Sequence, residues 1–262
     1  MWEKRLPDLE GSYGCTAKGL LIMRILNIFL TLLLVVLFAA AFTVFFDQAI
    51  LVRKDTIYKA STTEKVVALT FDDGPSPRWT PLILGELKKA GVKATFFMAG
   101  THVEKYPDIA RRVAAEGHEI GNHTYDHHGI FYYTPQELEK EIRVTEQIIR
   151  GATGITTVYF RPPKAWITDA EKLQVKDMGY QVVLWTLNSK DWVTFDDKYI
   201  ARYLLKHVQP GDIILFHDSG GVFGIENGDR EETVKTLPML IEGLARKGYR
   251  CVTISELLKA KK

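Results

Sequence analysis

Cysteine is almost absent: the 262 residues hold two, Cys15 and Cys251. A disulfide framework is thereby excluded, and Cys251, inside the apolar stretch YRCVTI, reads as a small core residue. An excess of charge of one sign is missing as well. The 34 basic residues meet 32 acidic ones for a net charge of +2, with no long like-charged run. That leaves no electrostatic footprint for a nucleic acid, and no protein partner is readable. Internal repeats and low-complexity tracts are also lacking. What is present is apolar content of 46%, enough for a large core. With the first fifty or so residues set aside, about two hundred remain, which suits one α/β domain.

The one long hydrophobic run is Ile25 to Phe46, 22 residues without a charge. At about 1.5 Å per residue a helix of this length covers a hydrocarbon core of roughly 30 Å. Lys4, Arg5, Lys18 and Arg24 precede it, and Asp47 is the first charge after it. This bias places residues 1–24 in the cytoplasm, 25–46 in the membrane as an anchor, and the remainder outside. The competing reading is a signal peptide cleaved near Ala39-Ala40-Ala41, giving a secreted protein. Met23-Arg24 is an alternative start. Residues 47–63 lack periodicity and read as a linker.

From residue 64 to 262 short apolar runs alternate with helical patterns: KVVALTF, KATFFMAG, HEIGNH, TVYFRPP, YQVVLWTL, GDIILFHD and YRCVTI are the strand candidates. Such alternation predicts parallel strands with crossover helices, and about seven repeats predict an α/β barrel. Gly91, Gly117, Gly179 and Gly248 stand at helix ends, and Thr134-Pro135-Gln136-Glu137 spells a capping box with proline at the first helical position. In barrel enzymes the chemistry gathers where strands end. Here Asp72 and Asp73, His123, Arg161, Asp191 and His217 follow five separate strands.

Each of these has a plain alternative. Adjacent carboxylates such as Asp72-Asp73 stay ionised together only beside a cation, but they can equally cap a helix or turn at Gly74-Pro75. His123 and His127, four apart, can present nitrogens to one divalent ion with a carboxylate completing the set; His123 with His128 fits nearly as well. His118 reads as a surface or packing residue. Arg161 before two prolines can hold a carboxylate ionised. Asp191 beside Trp192, and His217 after a buried strand, could each be structural, or could pair so that the imidazole stays protonated as a general acid.

In order and setting these segments resemble the NodB-type polysaccharide deacetylases, carbohydrate esterase family 4, over about residues 64 to 256. The matching motifs are TFDDG at 70–74, HTYDH at 123–127, RPP at 161–163, DW at 191–192 and LFH at 215–217. The resemblance implies a distorted (β/α) barrel and removal of N-acetyl groups from an amino-sugar polymer. It implies one divalent metal, usually zinc, on Asp73, His123 and His127. Asp72 would be the general base, paired with Arg161, and His217 the general acid, oriented by Asp191. The backbone N–H of Lys164 would serve the oxyanion, and Trp192 and Leu215 the acetyl methyl pocket. The chain departs from the pattern at Lys164-Ala165, where an aromatic and a glycine are usual, and at Asn188, where an aspartate is usual. A positive charge at Lys164 would favour an anionic polymer. The stretch Gly220–Asp229, with glycines at 220, 221, 224 and 228, reads as a flexible groove-lining loop. Outward location favours peptidoglycan over chitin-like chains. A same-fold hydrolase of a small amide and an inactive, anchored glycan-binding protein are the rival readings.

Overall fold

The computed structural model describes residues 17–46, 49–130, 133–220 and 228–261. Cys15, Lys4, Arg5, Asp47, Gly221 and Gly224 lie outside them. The chain divides into two units, Met1–Asp47 and Gln48–Lys262.

In the first unit one helix runs from Ala17 to Phe46, and its portion Gly19–Ala39, 21 residues, is long and apolar enough to cross a membrane. This begins before Ile25 because helix formation continues through Leu20-Leu21-Ile22-Met23, and it takes in Arg24. Among the polar interruptions Thr31 donates its hydroxyl to the Asn27 carbonyl at 2.8 Å, so that group is satisfied within the helix itself.

The second unit is a parallel barrel. Its strands are β1 (Val66–Asp72), β2 (Thr95–Met98), β3 (Glu119–Asn122), β4 (Tyr159–Phe160), β5 (Gln181–Val182), β6 (Leu187–Asn188), β7 (Ile213–His217) and β8 (Arg250–Val252). They pair in the order β5-β4-β3-β2-β1-β7-β6, with β8 joining the first half of β1. The seven expected strands are all present. The YQVVLWTL run bends, pairing with β4 through Gln181–Val182 and with β7 through Leu187–Asn188, so a single stretch of chain joins the two edges of the sheet into a distorted half-barrel. The bend distorts the ring and accounts for the eighth strand.

β1 shows how the sequence aims its side chains. All seven residues are buried, as expected for a parallel strand covered on both faces. Val67, Leu69 and Phe71 pack with Ile83, Leu84 and Leu87 of the helix Trp79–Ala90, Phe71 stacking on Phe96 and Phe216. Val66 and Ala68 pack instead with Phe97, Ile213 and Leu215 in a separate inner cluster. Side chains alternate along a strand, so Thr70 and Asp72 share the inner face with Val66 and Ala68. By the same parity His217 shares the inner face of β7 with Ile213 and Leu215.

The expected caps form. Thr134 and Glu137 make a capping box on the helix Pro135–Thr153, and Gly91, Gly117, Gly179 and Gly248 all take positive φ. Cys251 is partly buried against the main core and unpaired, its thiol pushed up to about 12 by burial. The stretch read as linker differs from expectation. Residues 49–52 form a short helix, Ile57 bridges to Val183, and Lys59 bridges and ion-pairs to Asp212, so much of 49–63 is part of the folded unit. Backbone pairing of this kind leaves no hydrophobic period to read.

Candidate active site

The inner face of β1 ends in Asp72, and Arg161 reaches it from the end of β4. The guanidinium is fully buried: Nη1 donates to Asp72 Oδ1 at 2.7 Å and to the Thr70 hydroxyl at 2.8 Å, Nε to the Val183 carbonyl, and Nη2 to the Leu184 carbonyl. Its carbon lies 4.0 Å above the Phe97 ring. Two acceptors from the bent strand, one from β1 and the carboxylate use the planar fork in a way a lysine could not.

Asp73 turns out of the strand with φ 76, a left-handed conformation unusual outside glycine. Its Oδ1 lies 3.3 Å from His123 Nε2 and 2.9 Å from His127 Nε2. The ligand atoms of Asp73, His123 and His127 all lie within 4.8 Å of one another. His123 Nδ1 donates to the Arg161 carbonyl at 2.6 Å, so its Nε2 carries the lone pair that faces the cluster. Two imidazole nitrogens and one carboxylate oxygen converging this closely are a donor set that would hold a divalent ion. Burial alone would raise the Asp73 carboxyl, but the two histidines hold it well below the usual carboxylate range. Burial opposes the charge on His127, and Asp73 overrides it, raising the imidazole. His128 turns away to Asp126 at 2.6 Å, which leaves His127 as the partner of His123.

On the other side of β1, Asp72 stands in register with His217 of β7. His217 Nδ1 lies 2.8 Å from Asp191 Oδ1, and Asp191 Oδ2 accepts the His217 backbone N–H at 2.8 Å and the Thr233 hydroxyl at 2.7 Å. Burial would lower the imidazole, yet Asp191 raises it above the ordinary value. Leu215 is buried on the same face of β7, two residues before His217, and Trp192 is half-buried beside Asp191. Lys164 is exposed in a 3-10 turn, Pro163–Ala165, with φ 59, and Ala165 follows with φ 57. As the second residue of that turn, Lys164 has no carbonyl within it to receive its N–H. Asn188 performs the turn duty of a carboxylate with its amide oxygen, accepting the Lys190 N–H at 2.9 Å.

Several contributors escaped the sequence. His102 places Nδ1 2.6 Å from the Asp73 carbonyl; it follows β2 closely, and a strand-end rule applied there would have found it. Asp218 directly follows His217 at the end of β7, within reach of the same rule, whereas Thr233 and Arg230 carry no comparable signal. Arg230 is buried and donates Nε to the Ser219 carbonyl at 2.8 Å. A side chain at Gly220, φ 70, would collide with the Asp73 carboxylate, which explains that glycine. His118, read as surface or packing, is a packing residue: it accepts the Ala94 N–H, lies edge-on to Phe96, and is lowered by burial to about 4.

A polysaccharide deacetylase family model matches residues 59–183. A peptidoglycan-N-acetylglucosamine deacetylase of Bacillus cereus (strain ATCC 14579) is 37% identical over 206 residues, 78% of this chain and 93% of that protein. The chain belongs to the polysaccharide deacetylase family. With the family comes the activity class: it is a hydrolase, a polysaccharide N-deacetylase. The family's solved structures share the barrel. That of the Bc1960 peptidoglycan N-acetylglucosamine deacetylase superposes with a TM-score of 0.73 at 33% identity, covering 79% of this chain and 94% of that one. That of BA3943 from Bacillus anthracis, a pseudoenzyme of carbohydrate esterase family 4, gives 0.71 at 28% identity over 78% and 68%. The fold therefore accommodates both catalytic and silent sites, and the residues above decide between them.

Proposed function

We propose that this chain removes N-acetyl groups from amino sugars of peptidoglycan, using one divalent metal ion, zinc by choice of donors, on Asp73, His123 and His127. The observation that carries this reading is the juxtaposition of that ligand set with Asp72, which pairs with buried Arg161 at 2.7 Å. The peptidoglycan deacetylases it resembles support the substrate. When bound, the ion supplies Lewis acidity and lowers the pKa of water.

The protein's own groups carry the protons. Asp72 accepts the proton of the water that attacks the acetyl carbon. The Lys164 N–H donates to the developing oxyanion. His217, its Nδ1 engaged by Asp191, turns Nε2–H toward the cleft and protonates the amine as the C–N bond breaks, releasing acetate and a free amino sugar. Trp192 and Leu215 enclose the acetyl methyl. Residues 25–46 anchor the chain, and the lysine and arginine bias at the N-terminus puts the 64–262 catalytic domain outside.

Likeness to a pseudoenzyme raises a second reading, glycan binding without turnover. The complete set Asp72, Asp73, His123, His127 and His217 favours the enzyme. Acetate release from peptidoglycan and from N-acetylglucosamine oligomers, measured on the full chain in detergent micelles with zinc or a chelator and beside Asp72→Asn, tests it. Release that needs both metal and Asp72 supports the deacetylase; metal bound at one equivalent without any acetate refutes it.

A further inference from the structure

Phe195 is 88% exposed, more than any other large hydrophobic side chain among the described residues. It lies between β6 and the helix Asp197–His207, four residues beyond Asp191, and Val193 and Tyr199 near it are also exposed. Its turn is tied down on both sides. The N–H groups of Val193 and Thr194 donate to the Lys190 carbonyl at 3.1 and 3.0 Å, and Asn188 accepts the Lys190 N–H. Beyond the ring, Asp196 accepts the Tyr199 N–H at 2.8 Å, and the Asp197 N–H donates to Glu232 at 2.9 Å. The phenyl ring is thus presented to water on a braced backbone, where it adds nothing to the core.

Phe195 stands on the loop that follows β6, at the same end of the parallel strands that carries Asp72, Asp191 and His217, where a substrate approaching from outside the chain can meet an exposed ring. The same loop carries Asp191, which grips His217, so the backbone bearing the ring is held on the acid side of the site. At most about 14 Å of extended chain separates Phe195 from Asp191, and the turn at Lys190 shortens that. A polymer whose acetamido group lies between Asp72 and His217 continues past the reacting sugar in both directions. The flat face of a β-linked pyranose carries axial C–H bonds, and these pack on the electron-rich face of an aromatic ring.

We propose that Phe195 is a sugar-stacking platform, a positioning residue that holds the glycan chain away from the reacting sugar. The inference rests on the deacetylase reading only for the direction of the chain. It predicts selectivity for polymer over short substrates.

The test compares wild type, Phe195→Ala and Phe195→Trp, as full chain in micelles, on the dimer and the hexamer of N-acetylglucosamine. Turnover is followed with zinc present, and binding by calorimetry after chelation. Phe195→Ala should raise KM and Kd for the hexamer about tenfold, leave kcat and the dimer unaffected, and be rescued by Phe195→Trp. Equal hexamer binding by wild type and Phe195→Ala, equal losses on dimer and hexamer, or no hexamer binding by wild type would each overturn it. Absence of acetate from every protein would sink the deacetylase reading, while the calorimetry would still decide the role of the ring.

Discussion

Asp191 grips His217 at two points, through the ring Nδ1 and through the backbone N–H, both at 2.8 Å. One carboxylate therefore fixes the position, the tautomer and the charge of the imidazole together. Burial would discharge His217, and the pairing with Asp191 raises it instead.

Replacing Asp191 by Asn removes the charge and keeps the shape. His217 acts as an acid only while protonated, so activity falls as pH rises through its pKa. In the wild type that limb lies above the ordinary imidazole value of 6.5, and in Asp191→Asn it should move to lower pH, with kcat down about 10²-fold. The pH profile of kcat/KM reads this directly. A limb that stays in place would show that Asp191 does not set the acid.

Arg161 joins four acceptors in the interior. Arg161→Leu takes the guanidinium away from the buried Asp72 carboxyl and from three further acceptors, and breaking a buried pair in this way costs about 3–5 kcal/mol. Thermal unfolding should drop by many degrees, and acetate release should disappear. Arg161→Lys keeps the charge yet loses the fork, so it should recover part of the stability and little of the activity. Melting of Arg161→Leu at the wild-type temperature would contradict the account.

Metal affinity should depend steeply on pH. Asp73 raises His127, so the metal-free site holds its proton on that imidazole to higher pH than a free histidine would. An entering ion must displace that proton. Calorimetry with zinc in buffers of different ionisation enthalpy should therefore show proton release, and affinity should fall as pH drops. His123→Ala and Asp73→Ala should abolish binding at one equivalent, whereas His128→Ala should retain it.

Asp218 is fully buried, accepts the Thr80 hydroxyl at 2.5 Å, and is pushed up to about 7, chiefly by burial. The ordinary value is 3.8, so across the window between the two the folded chain keeps a proton that the unfolded chain has lost. Stability from this group is complete below that window and is lost as pH rises through it. Asp218→Asn keeps an acceptor for Thr80 and cannot ionise. It should melt a few degrees above wild type at pH 8, with the difference vanishing near pH 4.

Much of this is legible in the sequence, for physical reasons. A buried parallel strand is a hydrophobic run with a polar residue where it emerges, so TFDD and LFHD announce both the strand and the group at its end. The His123–His127 pair was open from spacing alone, because nothing in HTYDHH says which imidazole turns to Asp126. Thr233 and Arg230 lie some forty residues from Asp191, at the start of a helix whose pattern records only its apolar face. The folded part of 49–63 uses backbone bridges, which leave no trace in side-chain periodicity. The bend within YQVVLWTL was hidden for a related reason: one uninterrupted run serves two neighbours.

That bend has a consequence for how the enzyme fails. Between β1 and β7 five residue pairs hold the sheet, but the stretch 181–188 is joined by two pairs at each end and by the single bridge from Ile57 to Val183. A short ladder opens at lower free energy than the core, so its amides should exchange early. The same stretch supplies the two carbonyls that hold Arg161 and leads directly into Asp191. A fluctuation that parts this seam releases the support of base and acid together while the helices stay packed. Warmed protein should go silent before it melts, and a glycan spanning the cleft should postpone that silence by keeping the ring shut.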